Sequence, residues 1–237
     1  MARSFDRAKN ALRRVELLAG VSKWAEGSCL VSFGDTKVLC TATVENKVPP
    51  FLRGSGTGWV TAEYGMLPRA TDVRTDRDRA KMHPNGRVFE ISRLVGRALR
   101  SCVDMKALGE RQVIIDCDVL QADGGTRTAS VTGGFVALCL ALRAKAVRTR
   151  PDPLVGSVSA VSAGKVNGSV VLDLDYAEDS RAETDANFVI NGSGGLIEIQ
   201  ATAERGAFDD SEFAEMLSLA KKGAAELDKL QKEVLGI

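Results

Sequence analysis

The sequence predicts a mixed α/β fold of the α+β kind, with hairpins interleaved among alternating strands and helices. Three observations predict it. Two β-rich stretches fold back around glycine turns, CLVSFGDTKVLCTATV at 29–44 and FVINGSGGLIEIQATAE at 188–204. Two stretches carry helical apolar spacing, at 87–103 and 209–234. Strand-like and helix-like runs then alternate along the whole chain, and the hairpins exclude a purely parallel sheet.

Each element has its own signal. Gly34-Asp35 separates the two arms of the first hairpin, a pairing that suits a tight two-residue turn. GWVTAEY at 58–64 reads as a strand. From 65 to 85 the apolar period vanishes and charges crowd in, which reads as a long exposed loop. Ile91, Leu94, Val95, Ala98, Leu99, Cys102 and Val103 then mark one face of a helix. QVIIDCDVL at 112–120 reads as a buried strand, 130–147 as a strongly apolar helix, and 155–175 as two strands. The last helix, 209–234, has Asp209 or Asp210 as N-cap. No low-complexity linker divides the 237 residues, so a single domain over 1–237 is the simplest organisation.

Composition narrows the chemistry. Hydrophobic residues make up 44% and charged residues 27%, as in an ordinary globular protein, and the net charge of +1 leaves any nucleic-acid contact to a local patch. The five cysteines form no C-x-x-C pair and lie mostly in apolar runs, which reads as reduced core thiols in a cytoplasmic protein. There is no secretory signal pattern and no apolar run of membrane-spanning length, so no membrane partner is expected. One histidine, His83, rules out most histidine-based zinc sites and argues against a Ser-His-Asp triad. Chemistry must run on arginine, carboxylates, hydroxyls and backbone amides.

Three clusters offer such groups. QADGGTRTAS at 121–130 places two glycines, Thr126 and Arg127 between a strand and a helix. A helix start has unpaired N–H groups and partial positive charge, and preceding glycines let an anion approach them. The same residues also fit a plain tight turn with Thr126 as N-cap. Arg87, at the start of the other helix, either swings toward that anion or is simply solvated. VLDLDYAEDSRAETDANFVI holds Asp173, Asp175, Glu178, Asp179, Glu183 and Asp185, with Asp173 and Asp175 on one strand face by the period of two. Such carboxylates suit Mg²⁺ or a proton donor, and equally a solvated acidic loop. Arg69, Arg74, Arg77, Arg79, Lys81 and Arg87 outnumber the acids of their loop, which suits either a phosphate backbone or a self-paired exposed segment.

Taken together, AEGSCLVSFGDTKVLCTA, FLRGSGTGWVTAEYGMLPRAT, ISRLVGRALRS, ALGERQVIIDCDVLQADGGTRTASVTGG and LDLDYAEDSRAETDANFVI resemble the ribonuclease PH family over nearly the whole chain. These are phosphate-dependent exoribonucleases that trim transfer-RNA 3′ ends. The resemblance implies a fold of β-α-β-α units like domain two of a small-subunit ribosomal protein, in a homohexamer built as a trimer of dimers. It also implies 3′→5′ phosphorolysis of tRNA precursors and other RNA 3′ ends, with inorganic phosphate as co-substrate and nucleoside diphosphates as products. It places the phosphate site on Arg87, Gly125, Thr126 and Arg127, and the catalytic or Mg²⁺-associated carboxylates on Asp179 and Asp185. The transfer-RNA contacts fall on Arg69, Arg74 and Arg77. SKWAEGS departs from the family in carrying Trp24 where histidine is usual, and KMHPNGR differs from the usual lead-in to Arg87. Two other readings stand beside this one: a ring subunit that binds RNA without cleaving it, which would be expected to lack the arginines or aspartates, and a phosphorolytic enzyme for other RNAs.

Overall fold

A computed structural model describes residues 3–76, 86–144, 147 and 151–237. Strand β1 (Val15–Ala19) pairs antiparallel with β2 (Gly27–Phe33). Gly34 has a φ of 56°, a left-handed value that glycine tolerates, and β2 turns there into β3 (Thr36–Glu45) with Phe33 opposite Thr36. The two-residue hairpin is as the sequence predicts. Val31, Phe33, Val38, Cys40 and Ala42 alternate into the core, the period of a half-buried sheet. After β4 (Trp59–Met66), α1 (Gly86–Arg100) and the single-turn α2 (Met105–Leu108), strand β5 (Gln112–Gln121) enters between β3 and β4. It runs antiparallel to β3 and parallel to β4, so the first sheet has the order β1-β2-β3-β5-β4.

Helix α3 (Thr126–Arg143) connects the two halves of the molecule. It packs against β2, β3 and β5 on one side and β6 (Val158–Val166) on the other, and nearly all its residues are buried. A helix that is apolar all round has to be covered all round. The second sheet has the order β7-β6-β8-β9, with β7 at Ser169–Leu172, β8 at Thr184–Asn191 and β9 at Leu196–Ala203, all antiparallel. The single-turn α4 (Tyr176–Asp179) lies between β7 and β8. Helix α5 (Asp210–Leu235) closes the chain against β6 and β7. Its N-cap is Asp209, which accepts from the Glu212 amide while the Glu212 side chain accepts from the Asp209 amide, a full capping box. One buried apolar cluster runs from Val31 in the first sheet through Phe135 of α3 to Phe188 in the second.

Four expectations need correction. The third helix starts at Thr126 and ends at Arg143, where a span of 130–147 was expected, because polar Thr126, Arg127 and Thr128 hide its first turn from an apolar count. Its N-cap is Gly125, in the left-handed region at φ 65°, and not Thr126. Asp173 and Asp175 do not share a strand face: β7 stops at Leu172, Asp173 itself has φ 55°, and Asp175 is the N-cap of α4. Finally, α1 ends at Arg100, so Cys102 and Val103, counted on its face, lie in the turn beyond it, while the short, partly apolar β1, α2 and α4 carried no sequence signal. The five cysteines are free and buried, and among the described residues no helix is long and apolar enough to cross a membrane.

Candidate active site

The glycine turn at 123–125 is held from behind. Arg13 is 2% exposed and donates to the Asp123 carbonyl at 2.6 Å, while the Thr36 hydroxyl donates to the Gly124 carbonyl at 2.6 Å. The Asp123 amide donates back to the Thr36 oxygen at 2.9 Å. With the carbonyls of the turn engaged from behind, the α3 N-terminus is left to face the cleft. Gly124 is required twice over. Its φ is 75°, and a Cβ there would lie 2.6 Å from the Asp175 carbonyl carbon, so the turn packs directly on the acidic segment.

That acidic segment divides in two. Its first half is structural. Asp173 is fully buried and bound by Arg13, which donates to Oδ1 at 2.7 Å and to Oδ2 at 3.0 Å, with the Arg13 amide adding 2.7 Å to Oδ2. Glu178 is paired with Arg3 at 2.6 Å and Arg7 at 3.1 Å, and Arg7 also reaches Asp175. Buried carboxylates persist only when paired in this way. Its second half, Asp179 at the end of α4 and Asp185 on β8, faces open space.

Asp179 and Asp185 share one cleft with Arg87, Gly125, Thr126 and Arg127, in a cavity of ≈ 720 Å³. All six residues singled out from the sequence as phosphate-binding or catalytic therefore meet. Arg87 comes from the first turn of α1 and Arg127 from the first turn of α3, so two helices each bring a cationic side chain to one place, beside the α3 N-terminus. Arg127 is steered by Gln200 Oε1 of β9 at 2.9 Å and by Glu90 of α1 at 3.5 Å. On the opposing wall, burial raises the Asp179 carboxyl above its usual range, against the pull of Arg87 and Arg127. Burial, reinforced by the neighbouring Asp179 charge, pushes Asp185 up to about 6. Asn187 donates to Asp185 at 3.2 Å and partly offsets this.

Among the described residues no three His, Cys, Asp or Glu side chains gather as a cation cage. Two carboxylates still suit Mg²⁺, which keeps several waters and takes other ligands from substrate phosphates. The expected RNA loop divides as follows. Arg69 and Arg74 are exposed, Arg69 donating to the Asp72 carbonyl and Arg74 pairing with Asp76 at 3.1 Å. Arg77, like His83, lies outside the described residues. Trp24 is 85% exposed just before β2, with the Lys23 ammonium 4.7 Å from its ring centroid.

Sequence reading missed Arg3, Arg7 and Arg13, Thr36, Tyr64 and Gln200. The three arginines look like surface charges, because the partners of Arg13 lie up to 160 positions away and no local pattern couples them.

Residues 11–143 match the model of the 3′ exoribonuclease family, domain 1, and residues 156–223 that of domain 2. The chain belongs to the 3′ exoribonuclease family. It is similar to the proteins named Ribonuclease PH of Methylorubrum populi, 57% identical over 97% of this chain and 98% of that one, and of Methylobacterium nodulans, with the same identity and coverage. Among solved structures, it shares its fold with the Archaeoglobus fulgidus exosome with RNA bound to the active site. There the TM-score is 0.80 at 22% identity, covering 96% of this chain and 91% of that chain. In exoribonuclease terms, the cleft lies where the two family domains meet. Arg87 and the glycine turn come from the first, Asp179 and Asp185 from the second.

Proposed function

We infer the reaction from the site and the family together. The chain is a phosphorolytic 3′→5′ exoribonuclease that acts in transfer-RNA processing. The observation that carries this reading at the level of residues is the shared cleft: two arginines at two helix starts face two carboxylates across a space open to a polymer end. An RNA-binding ring subunit without activity would need neither set.

In the proposed mechanism Arg87, Arg127 and the amides of the α3 first turn hold inorganic phosphate and offset its repulsion from the terminal phosphodiester. A phosphate oxygen attacks the terminal phosphorus, and the bond from that phosphorus to the preceding 3′ oxygen breaks. Asp185, whose burial keeps a proton within reach near neutral pH, donates it to that leaving oxygen. A nucleoside diphosphate departs, and the RNA ends one nucleotide shorter with a free 3′ hydroxyl. In the alternative to proton donation by Asp185, both carboxyls are ionised, and Asp179 and Asp185 would hold Mg²⁺, which when bound would neutralise charge on the scissile group. Incubating RNA bearing a 3′ extension with and without phosphate tests the reading. Diphosphates made only with phosphate are expected, and monophosphates made without it would mark a hydrolase instead.

The chain also fits one cooperative unit, since α3 belongs to the core of both sheets. Five reduced, buried thiols support a cytoplasmic location. Exposed Leu196 and Ile197 on edge strand β9 support burial against another subunit, in a homohexamer arranged as a trimer of dimers. Exposed Arg69 and Arg74, together with Arg77, serve as the grip on structured tRNA precursors. Replacing all three by alanine should weaken tRNA binding more than attack on a short unstructured RNA, with a difference that shrinks as salt rises. Binding titrations at two ionic strengths test this, with mass in solution as control. Equal loss for both RNAs would remove the dedicated grip, and dissociation of the ring would make the arginines assembly residues.

A further inference from the structure

Behind the phosphate end of the cleft lies a residue that the mechanism has not used. Tyr64, on β4, is 5% exposed, and its phenol oxygen lies 2.8 Å from Oγ1 of Thr126, the first residue of α3. Thr126 lines the cleft, whereas Tyr64 is buried and is not among the residues that line it. The Tyr64 amide donates at 3.0 Å to Ser92 Oγ of α1, the helix whose first turn carries Arg87. One residue of the first sheet thus touches both helices that present arginines to the cleft.

Counting protons settles the direction of the bond between the two hydroxyls. A phenol and an alcohol each have one proton to give. Among the described residues, the Tyr64 hydroxyl has one hydrogen-bond partner, Thr126. If Thr126 donated to Tyr64, the phenol proton would be buried without an acceptor, at the full cost of desolvating a polar group. If Tyr64 donates, its proton is satisfied and the Thr126 proton is free to point into the cleft. Burial raises the Tyr64 pKa above its ordinary value, against the pull of Arg87 and Arg127, so the phenol remains a donor at working pH.

We propose that Tyr64 is a positioning residue for phosphate: it donates to Thr126 and so turns the Thr126 hydroxyl proton toward the bound anion. The inference rests on the phosphorolytic reading of the cleft and adds the group that preorients its one hydroxyl donor on α3. A hydroxyl already aimed at the anion loses no rotational freedom on binding, and it cannot offer its lone pair to phosphate by mistake.

Tyr64→Phe keeps the ring and removes the donor. It is expected to raise the KM for phosphate about five- to tenfold, the worth of one oriented hydrogen bond. The KM for RNA, the kcat at saturating phosphate and the circular dichroism spectrum should stay close to those of the unmodified protein. Thr126→Val should raise the phosphate KM at least as much, and the double variant should be no worse than Thr126→Val alone. An unchanged phosphate KM in Tyr64→Phe, or a full additional loss on top of Thr126→Val, would overturn the proposal. Should Tyr64→Phe fail to fold, an unchanged phosphate KM in Thr126→Val overturns it equally. Phosphate-independent cleavage by the unmodified protein would instead sink the phosphorolytic reading, so the two failures are distinguishable.

Discussion

Arg127→Ala should lower kcat/KM for phosphate by about 10²- to 10³-fold, the usual loss when one preorganised donor to a developing charge is removed. The side chain is only 18% exposed, and Gln200 and Glu90 hold its guanidinium in one orientation. Its charge is therefore delivered to phosphate with little entropy left to lose, in a cleft where charge–charge interactions are less screened than in water. Arg127→Lys should restore only part of the activity, since a point charge cannot reproduce the two-pronged donor. Stability should change little. Glu90 is half-exposed and can be hydrated when its partner goes, which limits the expected loss to about 1 kcal/mol. Initial rates across a phosphate titration, with melting temperatures alongside, check this. Wild-type phosphate dependence in the alanine variant would remove Arg127 from the site.

Asp185→Asn should lose turnover by about 10²- to 10⁴-fold while binding RNA as before, because it deletes the proposed proton donor and keeps its shape. The same change should make the protein more stable, and the gain should depend on pH. The carboxyl is held at about 6 in the folded chain, above its usual value of 3.8. Below pH 3.8 it is protonated in both folded and unfolded chains, so the variant gains nothing. Between 3.8 and about 6 the unfolded chain releases the proton first, and the unmodified protein loses stability as pH rises. Above pH 6 the full desolvation cost of the carboxylate is present, and the gain reaches at most about 3 kcal/mol. Thermal unfolding from pH 3.5 to 8 measures it. Mg²⁺ should raise the melting temperature of the unmodified protein more than that of the variant. A variant of full activity, or one without a pH-dependent gain, would return Asp185 to the status of a solvated acid.

Such a gain has a plain reading. Asp185 is an ionisable group placed on a strand between β6 and β9, facing a second carboxylate, where a neutral residue would fold better. Groups kept at such a cost mark sites of function.

Local chemistry made part of this protein legible before any coordinates. The Gly34-Asp35 hairpin follows from backbone freedom at one glycine, the start of the last helix from an acidic cap at Asp209 or Asp210, which the structure resolves as Asp209, and α1 from apolar spacing along one helix face. The glycine turn before Arg127 suggested an anion pocket, beside the reading as a plain tight turn, because helix N-termini and glycines act over a few residues. Other features depended on contacts between distant segments. Nothing within VLDLDYAEDSRAETD tells Asp173 and Glu178, tied down by Arg13 and Arg3, from Asp179 and Asp185, which line the cleft. All four are carboxylates in one short acidic run, and only the chain that packs on each decides its role. Arg13 and Thr36 brace the glycine turn, and Tyr64 touches Thr126, across 62 to 110 positions of sequence. Residue type and spacing therefore name the groups able to do chemistry. Burial, charge pairing and the direction of each hydrogen bond arise when the two sheets close on α3, and these decide which of those groups face the cleft.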